Sequence, residues 1–479
     1  MRADGNLIPV ESDVNQFLSK EQLMLDTQIA DVFKEFKIGR HLKACHIKKR
    51  TGHAVDKIVF DLVNIPFLLM TTVYLFVRSQ YEKAASHKNR YYRLLENAHY
   101  NWRSFVMRVS RLIHQKVQSS SSDPSFFVLD DTITEVSGKG VEGASYVYDH
   151  RSGKSVLGFQ KLVLGIFNGS HFLPISQKIF SSQHKPQARS HARKYRKILK
   201  SQRISPHSPG AYERSELDHT KLQGAISLLK AARKRGFTAS TVLFDSWFCF
   251  NSFIKGITGD VKLHLICQLK NMPKPNKYLY QGRTCSLNEL FYYYARTRLR
   301  WVKKNQFKQS VLVVGLPKNP VTLKIVFVQN EGSDKWYAFA ASDTTLSAQR
   351  ILESYSQRWS IEVFFKNCKQ YLNYGKEQMS NLDSIIACDA LVFTRYLILT
   401  YLAWRDKASF YDTFSTTCHS HSLNTFGVRL LKYFLNQLQF IITEIYYLLK
   451  EGYQESALKI LENVALYLQN PKHLTVDLK

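Results

Sequence analysis

Residues 355–369, YSQRWSIEVFFKNCK, place a phenol, a guanidinium, a carboxylate and an ammonium at regular offsets. Read as a helix, Tyr355 and Arg358 lie seven and four residues before Glu362, and Lys369 lies seven after it. At about 3.6 residues per turn all four fall on one stripe, with Lys366 beside it. Val363 and Phe364 point away from that stripe and can pack the helix down. Such a face suits a site that holds a metal ion and a phosphate together, the carboxylate for the cation and the guanidinium and ammonium for the anion. The plainer reading is a solvated helix face, with Arg358 and Glu362 as an i,i+4 ion pair worth about 0.4 kcal/mol.

Further acids stand beside apolar runs. Asp130 and Asp131 follow Phe126-Phe127-Val128-Leu129, and Asp245 follows Thr241-Val242-Leu243-Phe244. Both runs read as short buried strands, which puts carboxylates at strand ends, where an aspartate is commonly a turn former or helix cap. Together with Glu362 they give three acid positions. Three converging carboxylates can hold two Mg2+ or Mn2+ ions for in-line attack at phosphorus, one activating water or a 3′ hydroxyl and the other stabilising the leaving oxygen.

The elements that must position these acids are an α/β set between helical ends. Residues 14–117 carry helical periodicity and no convincing strand. Within them, 40–60 reads as helix, Thr51-Gly52 turn, helix, with basic residues before the turn. That is compatible with a helix-turn-helix DNA reader, or with any two packed helices joined at a glycine. The expected first domain is therefore 1–122, helical, basic and DNA-contacting, ending in the serine run 119–122. In the next segment, 123–250, a strand ends at the first aspartates. Two strands over 156–179 then flank Asn168-Gly169, a strong hairpin signal. Residues 181–212 contain many Lys and Arg and no acid, a basic segment able to neutralise a DNA backbone or simply a solvated loop. A helix over 217–235 stops at Gly236 before the strand that ends at Asp245. Residues 251–345 read as a β-rich insertion, with strands at 261–269, 310–315, 321–329 and 336–341 and basic loops at 270–277 and 303–308. The segment 346–405 holds the Glu362 stripe and an apolar helix. The segment 406–479 is helical, with a face of Leu430, Phe434, Leu438 and Ile441 that can pack internally or on a second copy.

The totals point to a polyanionic partner. Across 479 residues, 67 Lys and Arg stand against 38 Asp and Glu, for a net charge of +29 and a pI near 9.7. A composition 44% hydrophobic and 13% aromatic is globular, so this is no disordered basic tail. Nucleic acid fits better than a membrane surface. The run 65–77 is shorter than the roughly 20 residues a span needs, and the run 390–404 carries Arg395 in its middle. Both read as buried helices. The N-terminal residues have no apolar signal core. Seven cysteines form no CxxC pair, which suits a reducing cytoplasm. Cys418, His419 and His421 cluster in what reads as a Ser/Thr-rich loop and lack a further zinc ligand at sensible spacing.

The motif Y-x2-R-x3-E-x6-K at Tyr355, Arg358, Glu362 and Lys369 resembles the signature of the insertion sequence four family of bacterial transposases. The blocks FVLDDT, LGFQKLVLGIFNGSHFLPIS and VLFDSW resemble the same family, over about residues 90–400. The resemblance implies a ribonuclease H-like catalytic core, a mixed sheet with flanking helices, carrying a DDE triad and a β-rich insertion before the glutamate. It implies Asp130, Asp245 and Glu362 as catalytic, metal-binding acids, with Asp131 as the alternate first acid. It implies Tyr355, Arg358, Lys369 and Lys366 as DNA contacts. In relatives that cut through a hairpin, an insertion aromatic stacks on a flipped base, and Trp336 is the expected counterpart. The implied activity is cut-and-paste transposition by a bacterial, cytoplasmic enzyme. It would use two Mg2+ ions, with Mn2+ as substitute, and no small-molecule cofactor, acting on double-stranded DNA as a homodimer at paired transposon ends. A stand-alone nuclease or an inactive DNA-binding protein on the same fold is the alternative.

Overall fold

The computed structural model describes residues 28–421 apart from 50, 80–87, 119–123, 139, 151, 182–203, 271–275, 303–306 and 377. The expected C-terminal helix at 426–449, the serine run and most of the basic segment at 181–212 lie outside the described residues. The chain divides into two compact units, residues 32–414 and a second made of 1–31 with 415–479.

Among its described residues, the region before the sheet holds helices and no strand. Its helices are α1 (Gln28–Glu35), α2 (Ile38–Ala44), α3 (Val55–Asn64), α4 (Val73–Ser79), α5 (Lys88–Leu95) and α6 (Trp102–Gln118). Ten residues separate α2 from α3, so the expected helix-turn-helix is not formed, because that motif turns in about three or four residues. The run 65–77 is not one helix either. Pro66 opens a 3-10 turn, Ile65–Leu68, that ends at Leu69 in the left-handed region with φ 56°. The chain restarts at α4, where the Thr72 hydroxyl accepts the Leu75 N–H at 3.1 Å as a cap.

The sheet begins with β1 (Phe126–Glu135), β2 (Ser145–Asp149), β3 (Lys154–Phe167) and β4 (Phe172–Phe180). β1 runs past both aspartates, because β3 pairs with it antiparallel all the way to Glu135. The two acids therefore sit inside the strand rather than at its end. β2 carries no strong apolar signal and exists by pairing with β3. The turn at Asn168 forms as expected. Its side chain accepts the His171 N–H at 2.8 Å, and Gly169 takes φ 93°.

Helix α7 (Pro209–Glu216) precedes α8 (Lys221–Lys234), which is the expected helix at 217–235, with Gly236 at φ 84° just past its end. Thr220 caps α8 in a reciprocal box with Gln223. α8 lies so close to β4 that a Cβ on Gly224 would meet Phe180 Cζ at 2.4 Å. β5 (Thr241–Phe244) then pairs parallel to β1, and β6 (His264–Leu269) pairs parallel to β5. The order β4-β3-β1-β5-β6, antiparallel on one side of β1 and parallel on the other, is a mixed α/β sheet of ribonuclease H-like form.

The sheet does not stop there. After β7 (Tyr278–Tyr280), β8 (Arg283–Cys285) and β9 (Arg300–Trp301) come β10 (Phe307–Leu316), β11 (Asn319–Asn330) and β12 (Trp336–Ala341). β12 pairs antiparallel with β6, so the later strands extend one continuous sheet.

Three helices complete the unit: α9 (Ala348–Ser356), α10 (Trp359–Tyr371) and α11 (Leu382–Asp406). α11 is long and apolar enough to cross a membrane by length and composition, yet 89% of its apolar window is buried inside the protein. Arg395, in its middle, donates to Leu62 O, Val63 O and Leu372 O at 2.6, 3.1 and 3.0 Å. One guanidinium thus satisfies carbonyls at the C-terminal ends of both α3 and α10. Asp389 on α11 accepts from Lys161 of β3 at 2.8 Å and from Gln177 of β4. Residues 410–421 are helical, so Cys418, His419 and His421 do not lie in a loop. With no glycine or proline to break the run, Ser409 caps it by accepting the Asp412 N–H at 3.1 Å.

Candidate active site

Two strands and one helix bring the sequence-distant acids together. β1 carries Asp130 and Asp131 in its middle, side by side and, by strand alternation, on opposite faces. Asp245 follows β5, the parallel neighbour of β1. Its carboxylate accepts the Trp247 N–H at 2.9 Å and caps a short 3-10 turn, so it does serve as the cap that the plain reading allows. Glu362 stands in the first turn of α10.

The stripe is split between two helices. Tyr355 lies on α9, and Arg358 lies in the tight turn that leads into α10. The turn keeps helical dihedrals at Gln357 and Arg358. Phe364 is fully buried, whereas Val363 and Trp359 are exposed at 42% and 61%, so Val363 does not pack the helix down as expected.

Arg358 is the centre of this geometry. It donates to Asp130 Oδ2 at 2.9 Å and to Glu362 Oε1, joining the first and third acids through one guanidinium. Asp130 is raised to about 7, chiefly by burial. The charge of Arg358 opposes that rise, while the charges of Asp131 and Asp245 add to it. Asp245 is also raised, again by burial first, against the Trp247 N–H, the Arg358 charge and the Lys221 charge. Asp131 belongs to a different set of contacts: Lys221 Nζ reaches its Oδ1 at 3.0 Å and Gln160 Nε2 its Oδ2 at 2.7 Å.

The remaining expected residues separate. The Tyr355 hydroxyl donates to Gln268 at 3.4 Å, and its ring packs against Phe339 at 5.0 Å. Lys369 Nζ donates to Thr132 Oγ1 at 2.7 Å and Ile133 O at 3.0 Å, pinning α10 to β1. Lys366 is exposed. Trp336 is not brought to the acids. It stacks on Phe291 at 4.3 Å with 13° between the rings, and alternation puts it on the face of β12 opposite Tyr337 and Phe339. An open groove of about 420 Å3 on that other face is lined by Gln268, Phe307, Val328, Tyr337, Phe339 and Tyr355. Sequence reasoning did not single out Tyr337, Lys221 or Gln160, because nothing local to them marks these contacts.

The donor set, aspartate and glutamate oxygens, suits a hard divalent cation. Among the described residues, no three acid, His or Cys side chains stand close enough to enclose an ion. Arg358 places one positive charge between Asp130 and Glu362.

Residues 74–274 match the model of the DDE superfamily endonuclease, and residues 211–396 match that of the transposase DDE domain. No curated protein matches the chain. Asp130 falls in the first match, Glu362 in the second and Asp245 in both, and the two matches together support a DDE transposase.

Proposed function

We propose that this chain is a DNA transposase of the insertion sequence four family. It binds the inverted repeats at the ends of its element, cleaves them by metal-dependent phosphodiester hydrolysis and transesterification, and joins the 3′ ends to target DNA. The observation that carries the reading is the Arg358 guanidinium joining Asp130 to Glu362 beside Asp245, from elements 228 and 4 residues away in sequence. Asp130 is the better first acid, because it shares that guanidinium while Asp131 is tied to Lys221.

Asp130, Asp245 and Glu362 would hold two Mg2+ or Mn2+ ions. When bound, the ions supply a nucleophilic oxygen at neutral pH and stabilise the leaving oxygen. The chain's own residues do the rest. Arg358 and exposed Lys366 would supply the cations that face the phosphate. Lys369 keeps α10 on β1, so that Glu362 stays in register with Asp130. The groove with Tyr337 and Phe339, rather than Trp336, offers the aromatic surface for an unstacked base in a hairpin route. The N-terminal segment 1–122 would contact the ends, and 406–479 would serve the synaptic homodimer in a bacterial cytoplasm.

The test is cleavage of labelled end DNA with Mg2+. Asp130→Asn, Asp245→Asn and Glu362→Gln are each expected to drop nicking to background while DNA binding stays within about threefold, since phosphate contacts dominate affinity. Nicking by any of these variants at the unsubstituted rate refutes the role given to that acid.

A further inference from the structure

Lys221 is the first residue of α8, held there by the Thr220 capping box and by the close approach of Gly224 to Phe180. Its side chain is 11% exposed and that of Asp131 18%, so both ends of the pair are largely out of water. The ammonium makes two contacts at once. It reaches Asp131 Oδ1 at 3.0 Å, and it sits 3.3 Å from the centre of the Trp247 ring, against the indole face. Trp247 donates its backbone N–H to Asp245 at 2.9 Å, so the indole and the second acid belong to one turn. Asp131 is fixed from its other oxygen by Gln160 of β3. A continuous run of contacts thus links β3, Asp131 on β1, Lys221 on α8 and the turn that presents Asp245.

We propose that Lys221 is a positioning residue of the acid cluster, its ammonium fastening the Asp245 turn to β1 through Asp131 and the Trp247 indole. The β1–β5 pairing ends at Leu129 and Phe244, one residue short of each acid. The ladder between β1 and β5 therefore stops before the carboxylates, and side chains set the separation of Asp130 and Asp245. Arg358 does this for Asp130 and Glu362; Lys221 does it for Asp245. This also gives Asp131 a role, as the anchor of that link rather than a fourth ligand. The inference rests on the reading of Asp130, Asp245 and Glu362 as metal-binding acids.

The sign of one measurement separates positioning from plain electrostatics. Removing a cation beside carboxylates should tighten divalent-ion binding if its charge were its whole contribution. Removing a group that orients a ligand weakens binding, typically tenfold or more. Mn2+ binding to the full chain without DNA, followed by electron paramagnetic resonance, is therefore the test. Lys221→Met is expected to weaken Mn2+ about tenfold, and Lys221→Arg to recover most of that loss. Asp131→Asn should weaken it similarly, and the double variant no further, since both cut one link. Mn2+ bound by Lys221→Met as tightly as by the unsubstituted chain, or additive losses in the double variant, overturns the proposal. A second readout needs no metal: Lys221→Met should change tryptophan emission, and the change should vanish in a Trp247→Phe background. Should the unsubstituted chain bind no Mn2+ at all, the metal reading of the acids fails. Lys221 is then judged on emission alone, where an unchanged spectrum sinks the link.

Discussion

Arg358 holds apart two carboxylates that would otherwise repel across a partly dehydrated gap, with side chains only 14% to 34% exposed. Its removal leaves Asp130, whose carboxyl is pushed up to about 7 by burial first and by Asp131 and Asp245 after it, without its neighbouring cation. Breaking such a pair from one side costs more than the pair contributes, because the remaining charge stays dehydrated. Arg358→Met is therefore expected to destabilise the metal-free protein by about 2 kcal/mol. A divalent cation can restore the missing charge, so Mn2+ should raise the melting temperature of the variant more than that of the unsubstituted chain. Equal Mn2+ shifts in the two proteins would show that Arg358 does not share its place with the ion.

Helices carry the residues that hold the sheet, and α6 carries one that titrates. His114 is 3% exposed, neither ring nitrogen has a hydrogen-bond partner, and its ring lies 5.7 Å from that of Phe237, just before β5. Burial lowers it from 6.5 to about 4. A histidine depressed on folding contributes stability that is present above pH 6.5 and lost as the pH falls toward 4, up to about 3 kcal/mol here. His114→Leu should flatten the fall in melting temperature between pH 7 and pH 4.5, and an unchanged slope would assign the acid loss elsewhere. The same elements mark where the sequence could be read. The tetrads FFVL and TVLF are uninterrupted apolar runs, so β1 and β5 were legible, and with them the neighbourhood of Asp130 and Asp245. The second half of β1, DDTITE, is polar and exists only because β3 pairs with it, which no local pattern announces. Asp130 and Asp131 could not be told apart for the same reason: alternation fixes that they face opposite ways, and only the tertiary partners say which way is which. Trp336 was the expected counterpart of an insertion aromatic by resemblance alone. The actual face of β12 was set by packing on Phe291 and Phe327. Lys221 carried no signal at all, since its partners are 90 residues before it and 26 after it.

At the scale of the molecule, charge is distributed by burial. Several acids are consumed inside the protein: Glu142 and Asp383 clamp Arg214, Asp389 holds Lys161, and Glu216 serves both Lys178 and Arg103. The sequence keeps a net charge of +29, which the partner must meet. Binding of end DNA should consequently fall steeply with salt, by about a thousandfold between 50 and 200 mM if some six phosphates are neutralised. A shallow slope would mean that the excess charge serves something other than a DNA backbone. The sheet that carries the acids also runs without a gap into the strands that follow β6, because β12 completes its outer edge. Those strands cannot be trimmed away to leave a minimal enzyme: excision of β7 to β12 would strip β6 of its partner and expose an apolar rim with bare amides and carbonyls. The shortened protein would be prone to join edge to edge with its own kind before it met any DNA.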